Sequence, residues 1–356
     1  MLMDKAFNTD GSIHFTQVGD NPDIHPYWDP EYFGDTILVN GKVWPNMKVE
    51  RHQYRFRIVN GSNARFYNLK LSNGQSFIQI GGDGSYLPAP VTLTEALICA
   101  RGAVGHSDRL LKLAGRNEDH PAKHRQSALP RRRSERSGHD GSSHALRGGE
   151  LARRPSACLA RHLITVPTLI ETEGIGNPKL FTLNEQESDV GEPVAVLLDG
   201  QHFDADITEV PRAGTTEAWY FQNLSEDAHP IHVHLVEFQL EDRQDIDVDR
   251  FRTYWESLNG STLPLDHPTI RANVETAVFD PATGTVHDFL TGESEPPSPQ
   301  ESGWKDTFVA PPGQVTRVLL RFAPQSTRES DLFPGKNAFP FDPTAGPGLC
   351  VALPYS

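Results

Sequence analysis

The chain has 356 residues, a formal net charge of −14, 28 prolines, 29 glycines and three cysteines. This length accommodates about two domains, and the acidic balance argues against nucleic acid as a partner. Because a membrane-spanning helix needs about 20 apolar residues and no run approaches that length, we expect no membrane span. Residues 1–5 carry no signal peptide, so the compartment stays unknown. The scattered cysteines give no disulfide framework.

The first hundred residues alternate short apolar runs with turn formers. Residues 1–34 are polar and rich in turn residues, so we expect a linker or an N-terminal extension. Asn40-Gly41 is a hairpin signal between the first two apolar runs. Strands are predicted over residues 36–39, 42–45, 54–59, 66–71 and 77–80. Runs at roughly ten-residue spacing are typical of a β-sandwich.

The sequence changes character near residue 100. Residues 101–157 are rich in Arg, His, Ser and Gly, and no strand or helix period survives there. By composition alone, this segment is a disordered basic insertion or a nucleic-acid tail. The strand pattern resumes at Leu163, and later strands are predicted over 194–200, 217–221, 303–309 and 315–322, with a polar loop at 241–302. We therefore predict an all-β fold with two β-sandwich domains, residues 35–160 and 163–356.

Three histidines, His229, His232 and His234, lie within six residues at the end of an apolar run. Imidazole is the commonest neutral metal ligand and suits copper, zinc, iron and nickel. In a strand, side chains two residues apart share a face, so His232 and His234 are expected to point the same way. His229 is separated from these two histidines by Pro230, so it can bind a metal at a different site. The spacing favours two neighbouring metal centres over one closed cage.

The motif His229-Pro230-x-His232-x-His234, followed by Phe238, resembles the first copper motif in the last domain of multicopper oxidases. Residues 36–45, 54–57, 303–307 and 312–313 are similar to the spore-coat laccase and bilirubin oxidase branch of that family. The resemblance covers residues 1–100 and 163–347. It implies that both domains are cupredoxin-like Greek-key β-sandwiches.

The same resemblance implies a function and a set of ligands. His229 corresponds to a type 1 copper ligand, His232 to a type 2 ligand and His234 to a type 3 ligand. The family uses four coppers to oxidise phenolic, tetrapyrrole or metal-ion substrates, and it passes four electrons to O₂ to form water. No catalytic residue and no further cofactor-binding residue is predicted in this chain. Asp227 can orient a ligand histidine, and a solvated loop carboxylate is an equal interpretation.

The resemblance also implies parts that this sequence does not show. The family's first domain supplies paired His-x-His motifs, and its last domain ends with a motif of the form WHCHIL, which carries the type 1 cysteine. Residues 348–356 read GLCVALPYS and contain no histidine. We therefore expect a fragment that lacks the first domain and has a truncated last domain.

A change of reading frame accounts for this ending. Codons compatible with residues 348–356, read one base later, spell GYVWHCHI followed by a leucine codon. The same shift converts residues 101–130 into an apolar-alternating sequence of the type that the family's second domain needs. We hypothesise two frameshifts, which the nucleotide sequence tests. Under this hypothesis Cys350 is a coincidence and not the type 1 thiolate.

Two alternatives stand beside the oxidase interpretation. One is a non-enzymatic cupredoxin-like fragment that binds copper through its three histidines. The other is a pseudogene product without a ligand, in which incomplete sandwiches aggregate. A blue copper site needs a His₂Cys set, so we expect the chain as written to bind copper weakly, show no blue absorption and lack oxidase competence.

Overall fold

The structure is a computed structural model that describes residues 1–14, 32–50, 53–100, 109–114, 147–148, 169, 179–187, 193–201, 205–259, 279–280, 285–286, 289–345 and 351–352. These residues form 22 strands and one α-helix, which confirms the all-β prediction. The chain divides into two compact units. Unit 1 comprises Met1–Val166 with Pro299–Gly303, and unit 2 comprises Pro167–Ser298 with Trp304–Pro354. In the described part, no helix is long and apolar enough to cross a membrane.

Unit 1 is built from short sheets, most of them antiparallel. The strands are β1 (Leu2–Lys5), β2 (Thr36–Val39), β3 (Lys42–Val43), β4 (Lys48–Val49), β5 (Gln53–Ile58), β6 (Tyr67–Lys70), β7 (Phe77–Gly81), β8 (Tyr86–Leu93), β9 (Glu95–Ile98), β10 (Arg109–Ala114) and β11 (Arg147–Gly148). The largest sheet has four strands in the order β5-β10-β7-β8, and β1-β2-β3, β6-β9 and β11-β4 form smaller ones. The hairpin predicted at Asn40-Gly41 joins β2 to β3, and both of its residues have positive φ, as a tight two-residue turn requires.

The start of the chain is part of unit 1, whereas the sequence suggested a linker or extension. β1 pairs antiparallel with β2. The carboxylate of Asp4, which is buried, accepts hydrogen bonds from the Gly34 N–H and from Arg65 Nε, each at 2.8 Å. A buried carboxylate is stable only when it is paired and hydrogen bonded, and these partners lie far from Asp4 in sequence. Residues 15–31 lie outside the described residues.

The prediction that residues 101–157 carry no regular structure is wrong at two places. β10 lies between β5 and β7 and pairs antiparallel with both. β11 pairs in parallel with β4. Backbone pairing depends less on side-chain identity than packing does, and β5 and β7 need partners for their N–H and C=O groups. The rest of this segment lies outside the described residues.

The elements of unit 2 are β12 (Lys179–Glu187), β13 (Pro193–Leu198), β14 (Thr216–Asn223), β15 (His229–Val233), β16 (Phe238–Ile246), α1 (Val248–Asn259), β17 (Phe279–Asp280), β18 (Thr285–Val286), β19 (Leu290–Glu295), β20 (Thr307–Ala310), β21 (Gln314–Arg321) and β22 (Val351–Ala352). They form a six-stranded sheet, in the order β13-β12-β14-β21-β16-β19, and a three-stranded sheet, β20-β15-β22. Short 3₁₀ helices cover Pro299–Glu301 in unit 1 and Glu329–Asp331 in unit 2.

The polar stretch 241–302 contains more structure than the predicted loop. It includes the end of β16, the helix α1 and strands β17 to β19. The Asp247 carboxylate accepts a hydrogen bond from the Arg250 N–H at 3.0 Å, which caps the start of the helix. The ring of Phe251 is fully buried and packs edge-on against Phe289 at 5.4 Å. A few apolar anchors in a polar sequence therefore suffice to dock the helix.

Aromatic rings fill the core of unit 2 beside β14. Phe221 is fully buried. Its ring stacks on Phe181 at 4.9 Å and meets Phe308 edge-on at 5.2 Å. Phe308 belongs to the three-stranded sheet and Phe181 to the six-stranded one. These contacts pack the sheet that carries the histidines against the larger sheet.

Replacing Phe221 with Ala is expected to destabilise unit 2 by about 3–5 kcal/mol, because the cavity left among packed rings cannot collapse fully. Urea unfolding followed by tryptophan fluorescence measures the change. Phe333→Ala is the matched control, because Phe333 is exposed. Equal effects of the two substitutions would contradict the role of Phe221.

Candidate metal centre

The strand β15 is the middle strand of its sheet. On one side it pairs with β20, so that His229 lies opposite Ala310 and His232 opposite Thr307. On the other side β22 places Ala352 opposite His232. Because both edges of β15 are hydrogen bonded, the register of the strand determines where its histidines lie.

Strand alternation divides the three histidines between two faces. His229 is buried, as are Ile231 and Val233 at alternate positions of the same strand. His232 points to the opposite face, and its ring lies 5.1 Å from the ring of His234 at an interplanar angle of 60°. The structure therefore brings His232 and His234 together and turns His229 into the interior of unit 2.

Hydrogen bonds from β20 and the residue before it orient the ring of His232. Nδ1 of His232 lies 2.8 Å from the main-chain oxygen of Asp306 and 3.2 Å from Oγ1 of Thr307. A carbonyl oxygen can only accept, so Nδ1 is the protonated nitrogen. The Thr307 hydroxyl donates to the Asp306 carboxylate at 2.9 Å. Nε2 is therefore the unprotonated nitrogen of the His232 ring and the one suited to bind a metal.

The second ring of the pair, His234, is half-buried. Burial lowers its pKa, and electrostatic repulsion between the two rings when protonated, from the neighbouring His232, lowers it further. Both causes favour the neutral imidazole at neutral pH. A neutral imidazole is the form that binds metals.

Burial lowers the pKa of His229 to about 4, so this ring is neutral at physiological pH. Its Nε2 lies 2.6 Å from Oγ of Ser225. The Ser225 hydroxyl also lies 2.8 Å from Oδ1 of Asn223 and 3.2 Å from the main-chain oxygen of Asp227. The amide of Asn223 donates to the oxygens of Asp227 and Ala310. A network of four residues, Asn223, Ser225, Asp227 and Ala310, therefore adjoins Nε2 of His229 through the Ser225 hydroxyl.

Ser225 is the residue that sequence reasoning missed. The sequence offered Asp227 either as an orienting group or as a solvated loop carboxylate, whereas the hydrogen bond that the structure shows at the His229 ring is made by Ser225. Asp227 contributes its main-chain oxygen to the same network. A signal was available in the sequence, because Asn-x-Ser occurs at the end of β14 and again at Asn60-Gly61-Ser62.

The three histidines are candidate metal ligands, as the sequence predicts. Among the described residues, no three His, Cys, Asp or Glu side chains converge as metal ligands. Cys350 and Cys158 lie outside the described residues, and Cys99 belongs to unit 1. The donors present fit copper in kind, because they are imidazoles, one of which presents an unprotonated Nε2. His232 and His234, which lies just after β15, are candidate ligands on one face, and His229 is a candidate ligand on the other.

Comparison with known proteins identifies the relatives of this chain. It matches the family described as "Multicopper oxidase" over residues 174–327, which include all three histidines. It is 32% identical to "Multicopper oxidase LPR1" of Arabidopsis thaliana, over 98% of this chain and 55% of that protein. It is also 32% identical to a "Laccase" of Bacillus subtilis (strain 168), over 92% of this chain and 57% of that protein. The chain thus spans about half the length of these relatives.

Solved structures agree on the fold. McoA multicopper oxidase from the hyperthermophile Aquifex aeolicus superimposes with a TM-score of 0.57 over 90% of this chain and 58% of that one, at 20% identity. The multi-copper oxidase from Pediococcus acidilactici gives a TM-score of 0.57 over 90% of this chain and 52% of that one, at 21% identity. Identities this low establish the architecture alone.

The burial of His229 predicts a pH dependence of stability in the metal-free chain. Its pKa falls from 6.5 to about 4 on folding, so the unfolded state binds more protons in that window. Stability is therefore retained above about pH 6.5 and lost as the pH falls towards about 4. By about pH 4.5, the loss in the free energy of unfolding that comes from His229 is on the order of 2 kcal/mol.

Urea unfolding at pH 7 and at about pH 4.5 checks this, with His229→Gln compared to the parent chain. The difference in stability between the two pH values should shrink in His229→Gln. It should persist in His14→Gln, because His14 is exposed. An unchanged pH dependence in His229→Gln would refute the role of His229.

Proposed function

The chain belongs to the multicopper oxidase family, and from this premise we propose that it is part of a laccase-like oxidase. The proposed reaction removes single electrons from a phenolic or tetrapyrrole molecule. Four such electrons, with four protons, reduce one O₂ to two molecules of water. Bound copper supplies the one-electron redox chemistry that the side chains of this chain lack.

The observation that carries the proposal is the arrangement of imidazoles on β15. His232 and His234 lie ring to ring at 5.1 Å, and a carbonyl oxygen holds the proton of His232 on Nδ1. His229 lies on the opposite face of the same strand. This arrangement supports His229 as a type 1 ligand and the other two as type 2 and type 3 ligands.

The substrate class is part of the proposal. One relative is named a laccase, which supports a small phenolic substrate with O₂ as its partner. The finer placement in the spore-coat laccase and bilirubin oxidase branch rests on residues 36–45 and 303–307. A panel of phenols and bilirubin, tested with the full-length protein from the same gene, distinguishes the two substrate types.

The two frameshifts belong to the same proposal. They are supported by the family motif that residues 348–356 spell one base later and by the alternating sequence recovered from 101–130. Sequencing the genomic DNA across both places tests them. Codons that do not encode WHCHI in the shifted frame would remove this part of the proposal.

A second candidate function is non-enzymatic copper binding. It is favoured by the incomplete ligand set, since no three donors converge among the described residues. In that case the chain binds copper but oxidises no substrate, and it lacks an intense blue band. Copper bound at a fixed ratio through the three histidines, without phenol oxidation, would support this second function, and phenol oxidation by the same copper-loaded sample would overturn it.

The proposal predicts that His232→Gln weakens Cu²⁺ binding by about tenfold or more, because a ligand nitrogen is lost. Competition with a chelator of known affinity measures the binding of the purified chain. His14→Gln is the matched control, because His14 is an exposed histidine of unit 1. Parent-like affinity in His232→Gln would contradict the assignment of this residue.

A further inference from the structure

A similar hydrogen-bonded corner is described in each unit of the chain. In both, an Asn and the Ser two residues after it lie between the end of one strand and the start of the next. In unit 2 the strand β14 ends at Asn223, and the amide of Asn223 donates to the main-chain oxygen of Ala310 at 3.0 Å. Oδ1 of Asn223 accepts the N–H of Ser225 at 3.0 Å. The next strand begins at His229, and Ser225 Oγ lies 2.6 Å from the ring of this residue.

In unit 1 the corresponding residues are Asn60, Ser62 and Tyr67. The Asn60 amide donates to the main-chain oxygens of Ile98 and Cys99, and its Oδ1 accepts the Ser62 N–H at 3.0 Å. Tyr67 begins the next strand, and its hydroxyl lies 2.8 Å from Oγ of Ser62. In both units, therefore, a serine hydroxyl contacts the side chain of the first residue of the following strand.

We propose that Ser225 is a positioning residue that holds His229 in the tautomer protonated on Nε2, so that Nδ1 is the atom offered to a metal. This inference rests on the proposed function, because it concerns the residue assigned to the type 1 site. It adds a residue to that site and a reason for its chemical state.

The hydrogen atoms that Asn223 and Ser225 can donate determine this tautomer of His229. The Asn223 amide nitrogen donates to two carbonyl oxygens, those of Asp227 and Ala310, which determines the orientation of the amide. Its oxygen therefore faces Ser225 Oγ at 2.8 Å. Two oxygens this close need a proton between them, and Asn223 Oδ1 has none to give. The hydroxyl proton of Ser225 therefore points to Asn223 Oδ1, which is nearer than the main-chain oxygen of Asp227 at 3.2 Å.

A hydroxyl carries one proton, so Ser225 Oγ cannot also donate to His229. It must accept at the 2.6 Å contact, and the proton there comes from Nε2 of His229. A neutral imidazole has a single N–H, which leaves Nδ1 with its lone pair. The opposite arrangement, with Ser225 donating to Nε2, would leave an oxygen–oxygen contact of 2.8 Å without a proton.

The two ligand histidines are thus set in opposite tautomers by different groups. The Asp306 carbonyl keeps the proton of His232 on Nδ1, whereas Ser225 keeps the proton of His229 on Nε2. One strand can thereby present different nitrogens on its two faces. A hydroxyl that accepts at this position is the chemical requirement at residue 225.

Nitrogen NMR of the metal-free full chain, labelled with ¹⁵N at its histidine rings, tests the proposal. The His229 signals are assigned by their loss in His229→Gln. The ring of His229 should show its proton bound to Nε2 and an unprotonated Nδ1. In Ser225→Ala the fraction with Nε2–H should fall, and Ser225→Thr should restore it because the hydroxyl returns.

Ser62→Ala is the matched control, because it removes the same hydroxyl from the corner of unit 1 and should leave the tautomer of His229 unchanged. A proton found on Nδ1 of His229 in the parent chain would overturn the proposal even if every variant failed to fold. So would an unchanged tautomer in a folded Ser225→Ala. Because no metal is present, a chain with the expected tautomer that binds no copper would refute the proposed function alone.

Discussion

The antiparallel pairing of β15 with β20 determines the geometry of the candidate metal centre. This single ladder places His229 opposite Ala310 and His232 opposite Thr307. The main-chain oxygen of Ala310 holds the Asn223 amide, which in turn orients Ser225 against His229. The oxygen of Asp306, at the other end of the ladder, holds Nδ1 of His232. A shift of one residue in the pairing would move all of these partners at once.

The surroundings of the strand keep that ladder rigid. Phe308 on β20 packs against Phe221 and Phe238 at 5.2 and 5.4 Å. These ring contacts pack the ladder against the large sheet. Asn223 is fully buried and uses both ends of its amide. A buried polar group that loses its partner costs about 1–3 kcal/mol, and networks of this kind disfavour alternative arrangements. The rings are thus positioned before any ligand arrives.

Local patterns in the sequence are sufficient to predict the fold class and the strand that contains His229 and His232. Period-two alternation marks β5, and the spacing of His232 and His234 predicts the shared face that the ring contact shows. The structure differs from prediction where pairing is non-local. β1, for example, joins its sheet through β2 some thirty residues away and through the burial of Asp4 against Arg65.

The remaining differences have related causes. β10 fills a position between two strands through its backbone, which composition does not reveal. α1 forms in a polar stretch because Phe251 and its capping residue suffice to dock it. The role of Ser225 was not predicted because it depends on the contact between Asn223 and Ala310, which are distant in sequence. Short-range patterns thus predict the candidate ligands, whereas the groups that orient them depend on long-range hydrogen bonds.

Anomalous diffraction at the copper edge, from crystals of the chain soaked in Cu²⁺, tests most directly whether β15 serves two metal positions. The account predicts a copper peak bonded to Nε2 of His232 beside the ring of His234. It predicts that any copper at His229 is a separate peak, on the other face of the strand and at Nδ1. A single copper shared by His229 and His232, or one bonded to Nδ1 of His232, would contradict the account.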